Sequence, residues 1–497
     1  MDLDLFANNL CKWGDRMEKV TVHYEQNIDY VKKELAVDDN FDIIHLELEH
    51  GGRKMSLFLV DGFGKDIALT QVQKHLAKLT VDDLKVKPLD KLVKHSIPYV
   101  EIETSDDLDE VIDQVLSGPA ALFVEGVERV ILIDTREYPV RGPAEPDTEK
   151  VIRGARDGFV ETLVLNAALV RRRVRDRTMR VEYVQAGRRS KSDMAIVYIG
   201  DIADQHFVKK LRKRLKKIDT DGFPMADKSV EEYIFGHSLN PYPLVRYTER
   251  PDVAATHLLE GHVLIMVDGS PSVMITPASF WHHLQHAEEY RQKPLVGAIH
   301  RLIRYIAVGA SIFLLPIWYL LATHQQFVPE ALNFIGEQET GEITLFIQFI
   351  IAEIGIEMLR MAAIHTPSAL ATALGLVAAI LIGEVAIQVG LFSPEVVLYL
   401  AAVAVGSYAT PSYELSLANR IVRLALLVLT AAFGLGGFII GITLWLLLLV
   451  GYKGLGVPYL WPFIPFDAHA FSEVLIRKAM PYKKRRPNIL HPNDPDR

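Results

Sequence analysis

Charged and apolar residues are distributed differently along the two parts of the chain. From Met1 to about Pro294, charged residues are frequent and apolar runs are short, whereas long apolar runs dominate from about Leu295 to Val450. This pattern predicts a soluble domain followed by a membrane domain.

The soluble part contains four apolar runs that are typical of β-strands. They lie at 54–62, 120–133, 193–201 and 262–275. The first and third each lead into a lysine-rich helical segment, and their offset is near 139 residues. The second and fourth are predicted hairpins around Glu125-Gly126 and Asp268-Gly269, where glycine permits a tight turn.

The stretches before the two hairpins match as well. Residues 97–118 correspond to 240–261, with Pro98-Tyr99 opposite Pro241-Tyr242. The sequence therefore predicts two copies of a β-α-β-α-β-β unit. The predicted fold is an N-terminal α/β region with two duplicated thioredoxin-like modules, then an all-α polytopic membrane domain. Neither copy has Cys-x-x-Cys, which favours binding or scaffolding over catalysis.

Five predicted parts follow from these patterns. They are a first α/β cytosolic module at 1–145, an arginine-rich helical linker at 146–192, a second α/β cytosolic module at 193–294, a transmembrane helical domain at 295–455 and a basic C-terminal tail at 456–497. The N-terminus is acidic and has no continuous apolar core, so no export signal is predicted.

The membrane part offers five candidate spans. They are 299–322, 342–359, 368–390, 395–410 and 421–450. The fourth is short enough to be re-entrant, and the last is long and contains GLGG at 434–437, where it could break into two half-helices. Lysine and arginine predict both termini inside, so the number of crossings must be even. Either one segment is re-entrant or the last one is split.

The net charge and the cysteine count limit the partners and the sites that the chain can be expected to have. The net charge of −8 is modest, so the Arg/Lys clusters are interpreted as solvated helix faces and no nucleic-acid partner is expected. Cys11 is the sole cysteine, which excludes an intrachain disulfide and a cysteine-based zinc site.

Three charged residues stand within the second candidate span. Glu353, Glu357 and Arg360 follow at spacings of four and three, so they share one helical face. A charge at the bilayer centre costs roughly 2.5–3.5 kcal/mol on insertion scales, so this face should not contact lipid. Glu384 and Gln388, four residues apart, form a second polar stripe.

Two interpretations of the first face remain open. In one, Glu357 pairs with Arg360 and Glu353 is buried; in the other, the face lines a water-filled path, and in an oligomer its carboxylates form rings that attract cations. Glu353 is the favoured pore residue, because Arg360 can neutralise Glu357 and Glu353 has no such neighbour.

Signals for catalysis are weak. His282 and His286 are four residues apart with Glu289 nearby, but a third ligand is not evident, and a solvated or interfacial helix is favoured. No nucleophile–base arrangement is found, so no catalytic residue, metal, cofactor or enzymatic activity is predicted.

Several segments together resemble the A-subunit family of bacterial spore germination receptors, the GerA family. They are VIRGARDGFVETLVLNAALVRRRVRD at 151–176, YTERPD at 247–252, LLEGHVLIMVDGSPSVMITPASFW at 258–281, EMLRMAAIHTPSAL at 357–370, ATPSYELSLANRIVRL at 409–424 and GVPYLWPF at 456–463. One departure lies at 359–365. The family often has Leu-Arg-Glu-Ala-Gly followed by a basic residue before the proline, whereas this chain has Leu359-Arg360-Met361-Ala362-Ala363 and then His365.

This resemblance implies a location and a function. Family members sit in the inner membrane of the endospore with the soluble domain towards the core, and are thought to oligomerise into channels that release monovalent cations. The run at 286–305 is most similar to an accessory-channel subgroup with a small membrane partner, which amplifies release. Other germination receptor subunits are further expected partners.

The resemblance also draws attention to an arginine-rich soluble segment. Its residues are Arg153, Arg156, Glu161, Asn166, Arg171, Arg172 and Arg173. They are predicted either to pair with carboxylates across an oligomer interface or to form a salt-bridge network within a module.

Three alternatives to the channel remain open. One is a non-conducting scaffold that assembles germination proteins through the soluble modules, and another is a nutrient-receptor A subunit. A secondary transporter is weakened by the lack of a visible inverted repeat.

Overall fold

The computed structural model describes residues 18–64, 66–97, 101–136, 149–236, 239–324, 326, 336, 343–365, 375, 380–490 and 492–496. The chain divides into two units. The α/β unit comprises Met1–Gly236, Tyr247–Pro277 and Lys484–Arg497, and the helical unit comprises His237–Arg246 and Ala278–Lys483.

The first module of the α/β unit is a five-stranded sheet between two layers of helices. Its elements are α1 (Tyr24–Glu34), β1 (Ile43–His50), β2 (Arg53–Val60), α2 (Asp66–Leu76), α3 (Pro88–Lys91), β3 (Ile102–Ser105), α4 (Leu108–Ser117), β4 (Ala120–Val124) and β5 (Val130–Ile133). The strand order is β1-β2-β4-β5-β3. Phe58 packs on the α1 and α4 side, and Leu57 packs on the α2 side. Because both faces are covered, β2 reads as a continuous apolar run.

The second module repeats this strand order. Its elements are α5 (Leu163–Arg171), β6 (Met179–Ala186), β7 (Ser192–Ile199), α6 (Gln205–Leu215), α7 (Ala226–Phe235), β8 (Arg246–Thr248), α8 (Pro251–Glu260), β9 (Val263–Val267) and β10 (Val273–Thr276). The order is β6-β7-β9-β10-β8. The first sheet is antiparallel throughout, and the thioredoxin-like description of the modules is not confirmed.

Each sheet begins with a strand that the sequence prediction missed. β1 and β6 precede the predicted units, and two helices rather than one follow the second strand, so the observed order is β-β-α-α-β-α-β-β. β6 lies within 146–192, the range predicted as a helical linker, and pairs with β7 from Met179 opposite Ile199 to Ala186 opposite Ser192. Both strands alternate polar and apolar residues, as is typical of a strand at a sheet edge.

Among the described residues of the helical unit, two helices are long and apolar enough to cross a membrane, α10 and α14. Its elements are α9 (Ala287–Arg291), α10 (Pro294–Thr323), α11 (Leu345–His365), a π-helix (Ile380–Val385), α12 (Ala386–Gln388), α13 (Pro394–Tyr408), α14 (Tyr413–Gly451), a two-stranded ribbon of β11 (Lys453–Gly454) and β12 (Val457–Pro458), and α15 (Ala468–Leu475). Trp318 of α10 is buried between Phe349 of α11 and Tyr399 of α13. Residues 368–374 and 376–379 of the predicted span at 368–390 lie outside the described residues.

The long helix α14 folds back on itself at Gly434. This residue has φ 56° and ψ −137°, a left-handed conformation that glycine tolerates. A Cβ on Gly441 would lie 2.6 Å from Cδ2 of Leu426. In a straight helix these two residues would be separated by about 22 Å along the axis. The halves 413–433 and 435–451 therefore pack against each other.

Two further contacts show the same fold-back. A Cβ on Gly437 would lie 1.9 Å from the carbonyl oxygen of Leu429. The hydroxyl of Tyr242 donates to Oδ1 of Asn419 at 3.1 Å and accepts from Nε1 of Trp445 at 2.7 Å, which brings the two halves together. The sequence allowed two ways to make the number of membrane crossings even, a re-entrant segment or a split last segment. The fold-back of α14 corresponds to the second of these.

His283, just before α9, should make stability depend on pH. Burial, followed by the nearby Arg246 guanidinium, lowers the pKa of His283 from 6.5 to about 3. Between pH 3 and pH 6.5 the unfolded chain binds more protons than the folded chain. The stability that the neutral His283 contributes is therefore fully present above pH 6.5 and declines as pH falls. We expect a loss of about 2 kcal/mol between pH 6.5 and pH 5 in thermal unfolding measurements. His283→Phe does not titrate and should remove this component; an unchanged slope in that variant would contradict the assignment.

Candidate functional site

The charged face of α11 is joined to α14 by a buried ion pair. Nε and Nη2 of Arg423 donate to Oε1 and Oε2 of Glu353 at 2.8 and 2.9 Å. Nη1 of Arg423 donates to the carbonyl oxygen of Ser311 in α10 at 2.6 Å. The side chains of Arg423 and Glu353 are only 4% and 5% exposed. Three helices are therefore held together by one guanidinium.

This geometry corrects the reason for favouring Glu353 as a pore residue. The sequence argument held that Glu353 has no basic neighbour, because only its own helix was considered. Arg423 is 70 residues away in the chain and binds both carboxylate oxygens. Arg420 and Arg423 are three residues apart, as an antiparallel partner of Glu357 and Glu353 would require, and this signal was available in the sequence.

Glu357 occupies a second, more accessible cluster one turn further along α11. Its carboxylate accepts from Arg360 on the same helix and pairs with Arg420 of α14. The guanidinium of Arg360 also lies over the ring of Tyr413, 5.5 Å from the centroid. The predicted pair of Glu357 and Arg360 is thus present, with a second arginine that the sequence prediction did not include.

The two clusters together carry a positive excess. Glu353 and Glu357 supply two negative charges, whereas Arg360, Arg420 and Arg423 supply three positive charges. A small cavity beside them is lined by residues of α11, α13 and α14. This side of α11 would repel a passing cation rather than attract it.

Glu384 and Gln388 lie in a different environment. Both side chains are exposed, and Nε2 of Gln388 is 3.4 Å from Oε1 of Glu384. Glu384 belongs to the π-helix that precedes α12, and such irregular turns are frequent at functional sites. Within the described part of the chain, no salt bridge involves Glu384.

The arginine-rich soluble segment divides into buried and exposed residues. Asn166 and Arg171 are each 1% exposed, so they are not available for contacts between subunits. This corrects their assignment to an oligomer interface. Arg173 pairs with Asp157 of the same chain, which is the intramodule alternative. Arg172 also has partners within the chain.

The exposed members of this segment are Arg153, Arg156 and Glu161. The first two lie on an irregular stretch that Arg250 holds in place, because its Nη2 donates to the carbonyl oxygen of Ala155 at 2.9 Å. Arg250 is fully buried, so this attachment is shielded from water. These three residues remain predicted interface residues.

Arg171 joins the two α/β modules. Its Nε and Nη2 donate to the two carboxylate oxygens of Asp42, in the first module, at 2.9 and 3.1 Å. Beside this pair, the backbone of Val181 in β6 accepts from the amide of Phe41 at 3.2 Å and donates to Oδ1 of Asn40 at 2.7 Å. The two modules are therefore linked by charge and by backbone hydrogen bonds.

The histidines considered as metal ligands have other roles. Nδ1 of His282 bonds with Ser279, and Nδ1 of His286 accepts from the amide of Glu288 at the start of α9. Glu289 pairs with Arg301 and Arg304 of α10. Among the described residues, no three His, Cys, Asp or Glu side chains are grouped to hold a metal ion.

Comparisons with known proteins agree with the sequence resemblance. Stage V sporulation protein AF of Bacillus subtilis (strain 168) is 48% identical over 481 residues, which cover 96% of this chain and 97% of that protein. Spore germination protein KA of the same strain is 28% identical over 94% of this chain and 87% of its own length. Spore germination protein GerLA of Bacillus cereus is 30% identical over 81% of this chain and 82% of its own length.

One solved structure is also similar. The N-terminal domain of the A subunit of the Bacillus megaterium spore germinant receptor GerK3 matches 53% of this chain and 98% of its own, with 26% identity and a TM-score of 0.42. The family described as Bacillus/Clostridium GerA spore germination protein matches residues 29–489. The resemblance predicted from the quoted segments is confirmed, and this chain belongs to the GerA family of spore germination proteins.

Proposed function

We propose that this protein is a subunit of an oligomeric channel in the endospore inner membrane that promotes or amplifies the release of monovalent cations during germination. Its relatives are named as spore germination and sporulation proteins, and one of them is named as a membrane protein. Two described helices have the length and composition to cross a bilayer. The soluble domain would face the spore core.

The observation that carries this proposal is the exposed carboxylate of Glu384. The other two carboxylates of the predicted pore, Glu353 and Glu357, are paired with arginines. Glu384 is exposed within the apolar sequence LVAAILIGEVAIQVG, where contact with lipid would cost roughly 2.5–3.5 kcal/mol. This carboxylate should therefore face water or a neighbouring subunit. Repeated around an axis, it forms an acidic ring that attracts cations.

The paired charges of α11 would then have a structural role in the channel. Arg423 holds α10, α11 and α14 together, so each subunit would keep these helices fixed while the surface with Glu384 and Gln388 lines the path. Gln388 would supply a neutral polar group one turn away from the carboxylate.

The soluble modules offer the contacts for assembly. We propose that they arose by duplication, which their shared strand order supports, and that Arg153, Arg156 and Glu161 contact other subunits. The partners would be further copies of this chain, a small membrane protein and other germination receptor subunits. No catalytic activity, metal or cofactor is part of the proposal.

A non-conducting scaffold is the second candidate function. It is favoured by the stretch at 149–159, where buried Arg250 anchors the backbone and the exposed Ile152, Arg153 and Arg156 are presented outward. Under this hypothesis, Arg153→Glu with Arg156→Glu would abolish germination function, and charge changes in the helical unit would act only through folding.

The channel proposal predicts a specific effect of Glu384→Gln. Removing the charge lowers the local concentration of cations. Potassium flux through the reconstituted protein should therefore fall by about tenfold, which is the size of effect expected from the loss of one favourable charge interaction. The measurement is potassium release from vesicles that contain the purified full-length chain, at low ionic strength, where screening is weak.

Glu414→Gln is the matched control. Glu414 is also a carboxylate of the helical unit, but it lies in the first turn of α14 beside Ser412. Its removal should leave flux unchanged. Wild-type vesicles that release no potassium would favour the scaffold, and equal flux from wild type and Glu384→Gln would reject the acidic ring.

A further inference from the structure

The two α/β modules share a strand order but carry opposite charge. Residues 18–136 contain 24 Asp and Glu against 14 Lys and Arg, a formal charge of −10, whereas residues 149–277 contain 17 against 22, a formal charge of +5. Anionic lipid would attract only the second of these modules and would repel the first. Opposite charges on two parts of one chain favour contact between copies, because the basic module of one copy attracts the acidic module of another.

The second module presents unpaired positive charge on one side of α6. The opposite side of this helix is apolar and buried. The exposed side, together with the turn that follows the helix, carries four lysines that we call the basic face: Lys209, Lys213, Lys216 and Lys217. Their spacing of three to four residues places them on one surface. In the described part of the chain, Arg212 of α6 pairs with Glu182, but no salt bridge involves the basic face.

The first module presents a group of carboxylates on the side of its sheet that α1 and α4 cover. We call this group the acidic face, and its members are Glu18, Glu34, Asp109 and Asp113. The hydroxyl of Tyr30 donates to Oδ1 of Asp109 at 3.2 Å. Burial, followed by the charges of Asp109, Glu34 and Glu18, raises the pKa of Tyr30 to about 12. The acidic face therefore surrounds this phenol with a negative potential.

Within one chain, the acidic face already binds a cation of the second module. The Nη1 atom of Arg177 lies 2.7 Å from Oδ1 of Asp109 and 3.5 Å from Oε2 of Glu34, and its Nη2 atom lies 3.4 Å from Oδ1 of Asp113. One guanidinium among four carboxylates leaves these groups with a net negative charge. Because the side chain of Asp113 is still 69% exposed, further cations can approach the face.

We propose that the basic face of one copy binds the acidic face of the next copy. This inference rests on the oligomer of the proposed function and names the surfaces that would form it. Because the two faces differ, the contact is heterologous, and it closes into a ring when the rotation between neighbouring copies permits. Copies that share one orientation in a membrane are related by rotation about a common axis, which is the symmetry that the acidic ring of Glu384 requires.

The test is the association of the full-length protein in detergent at low ionic strength, measured by analytical ultracentrifugation. The basic-face variant combines Lys213→Glu with Lys217→Glu, and the acidic-face variant combines Glu18→Lys with Asp113→Lys. Each opposes like charges across the interface, so each should associate about a hundredfold more weakly than wild type. Wild-type association should also weaken with added salt, because charges are screened beyond about 10 Å at 0.1 M.

A chain with all four substitutions exchanges the charges of the two faces. It should regain wild-type association, a recovery that a folding defect in either variant would not allow. Lys74→Glu with Lys78→Glu is the matched control. These exposed lysines precede Lys213 and Lys217 by 139 residues and occupy the equivalent positions of the first module, so their reversal should leave association unchanged.

Several outcomes would overturn the proposal. Weaker association of only one of the two variants would show that its face meets a different partner, and lack of recovery in the chain with four substitutions would show that the faces do not meet each other. An equal loss in the Lys74 and Lys78 control would attribute the effect to net charge alone.

The same measurement separates this interface from the proposed channel. A monomeric wild type would reject both the interface and the oligomeric channel. An oligomer that neither charge reversal weakens would reject the interface alone. Because the readout is association, a protein that conducts no potassium can still confirm the interface.

Discussion

Glu353→Gln is expected to lower the free energy of unfolding by about 3–5 kcal/mol, the range measured when one partner of a buried ion pair is removed. The variant leaves Arg423 charged, buried and without its carboxylate, while the bond from Arg423 to the carbonyl oxygen of Ser311 remains. The loss should appear as a lower midpoint of thermal unfolding of the full-length protein in a fixed detergent.

Two comparisons separate this effect from a general loss of charge. Glu384→Gln removes an exposed carboxylate from the same unit and should leave the midpoint unchanged. The exchanged pair Glu353→Arg with Arg423→Glu should recover part of the loss, because opposite charges again face each other. A midpoint for Glu353→Gln within error of wild type would show that the pair does not hold the helices together.

Asp42→Ala is expected to have an effect of similar size in the α/β unit. Arg171 would remain buried with its remaining bonds to backbone carbonyl oxygens, so a loss of about 3–5 kcal/mol is expected. Because Asp42 and Arg171 belong to different modules, the loss should be local to their junction. Hydrogen exchange of the full-length protein should become faster at 40–43 and 179–181 than in the rest of each sheet.

Arg173→Ala is the matched comparison for this junction. Arg173 pairs with Asp157, and the two side chains are 20% and 22% exposed. Water can replace part of this pair, so a loss of about 1 kcal/mol is expected. If Asp42→Ala and Arg173→Ala were equally destabilising, or if exchange at 40–43 did not change, the Asp42–Arg171 pair would not be what joins the modules.

The sequence predicted the inner strands of both modules because their signal is local. β2, β4, β7 and β9 are covered on both faces, so they appear as uninterrupted apolar runs. The edge strands β1 and β6 alternate instead, and a search for continuous runs passes over them. Their alternation was present in the sequence, but it became a strand assignment only with the backbone pairing to β2 and β7.

The candidate site was predicted less completely than the fold. Spacing placed Glu353, Glu357 and Arg360 on one face and identified the Glu357–Arg360 pair, since both depend on the geometry of a single helix. The same method favoured Glu353 as a pore residue because no basic neighbour was evident on its own helix. That reason was wrong, because Arg423 binds its carboxylate. Pairing with Arg423 depends on how α11 packs against α14, which spacing within one helix does not contain.

By itself, the sequence determined the division into an α/β part and an apolar helical part, the repeated order of elements in the two modules, and the shared face of the α11 charges. Each of these is set by residue type and by the periods of helices and strands. Only the tertiary structure decided which charges are neutralised: Glu353 by Arg423, and Asp42 by Arg171. The reason is physical, since burial and ion pairing depend on residues that are far apart in the chain and meet only when the helices and sheets pack.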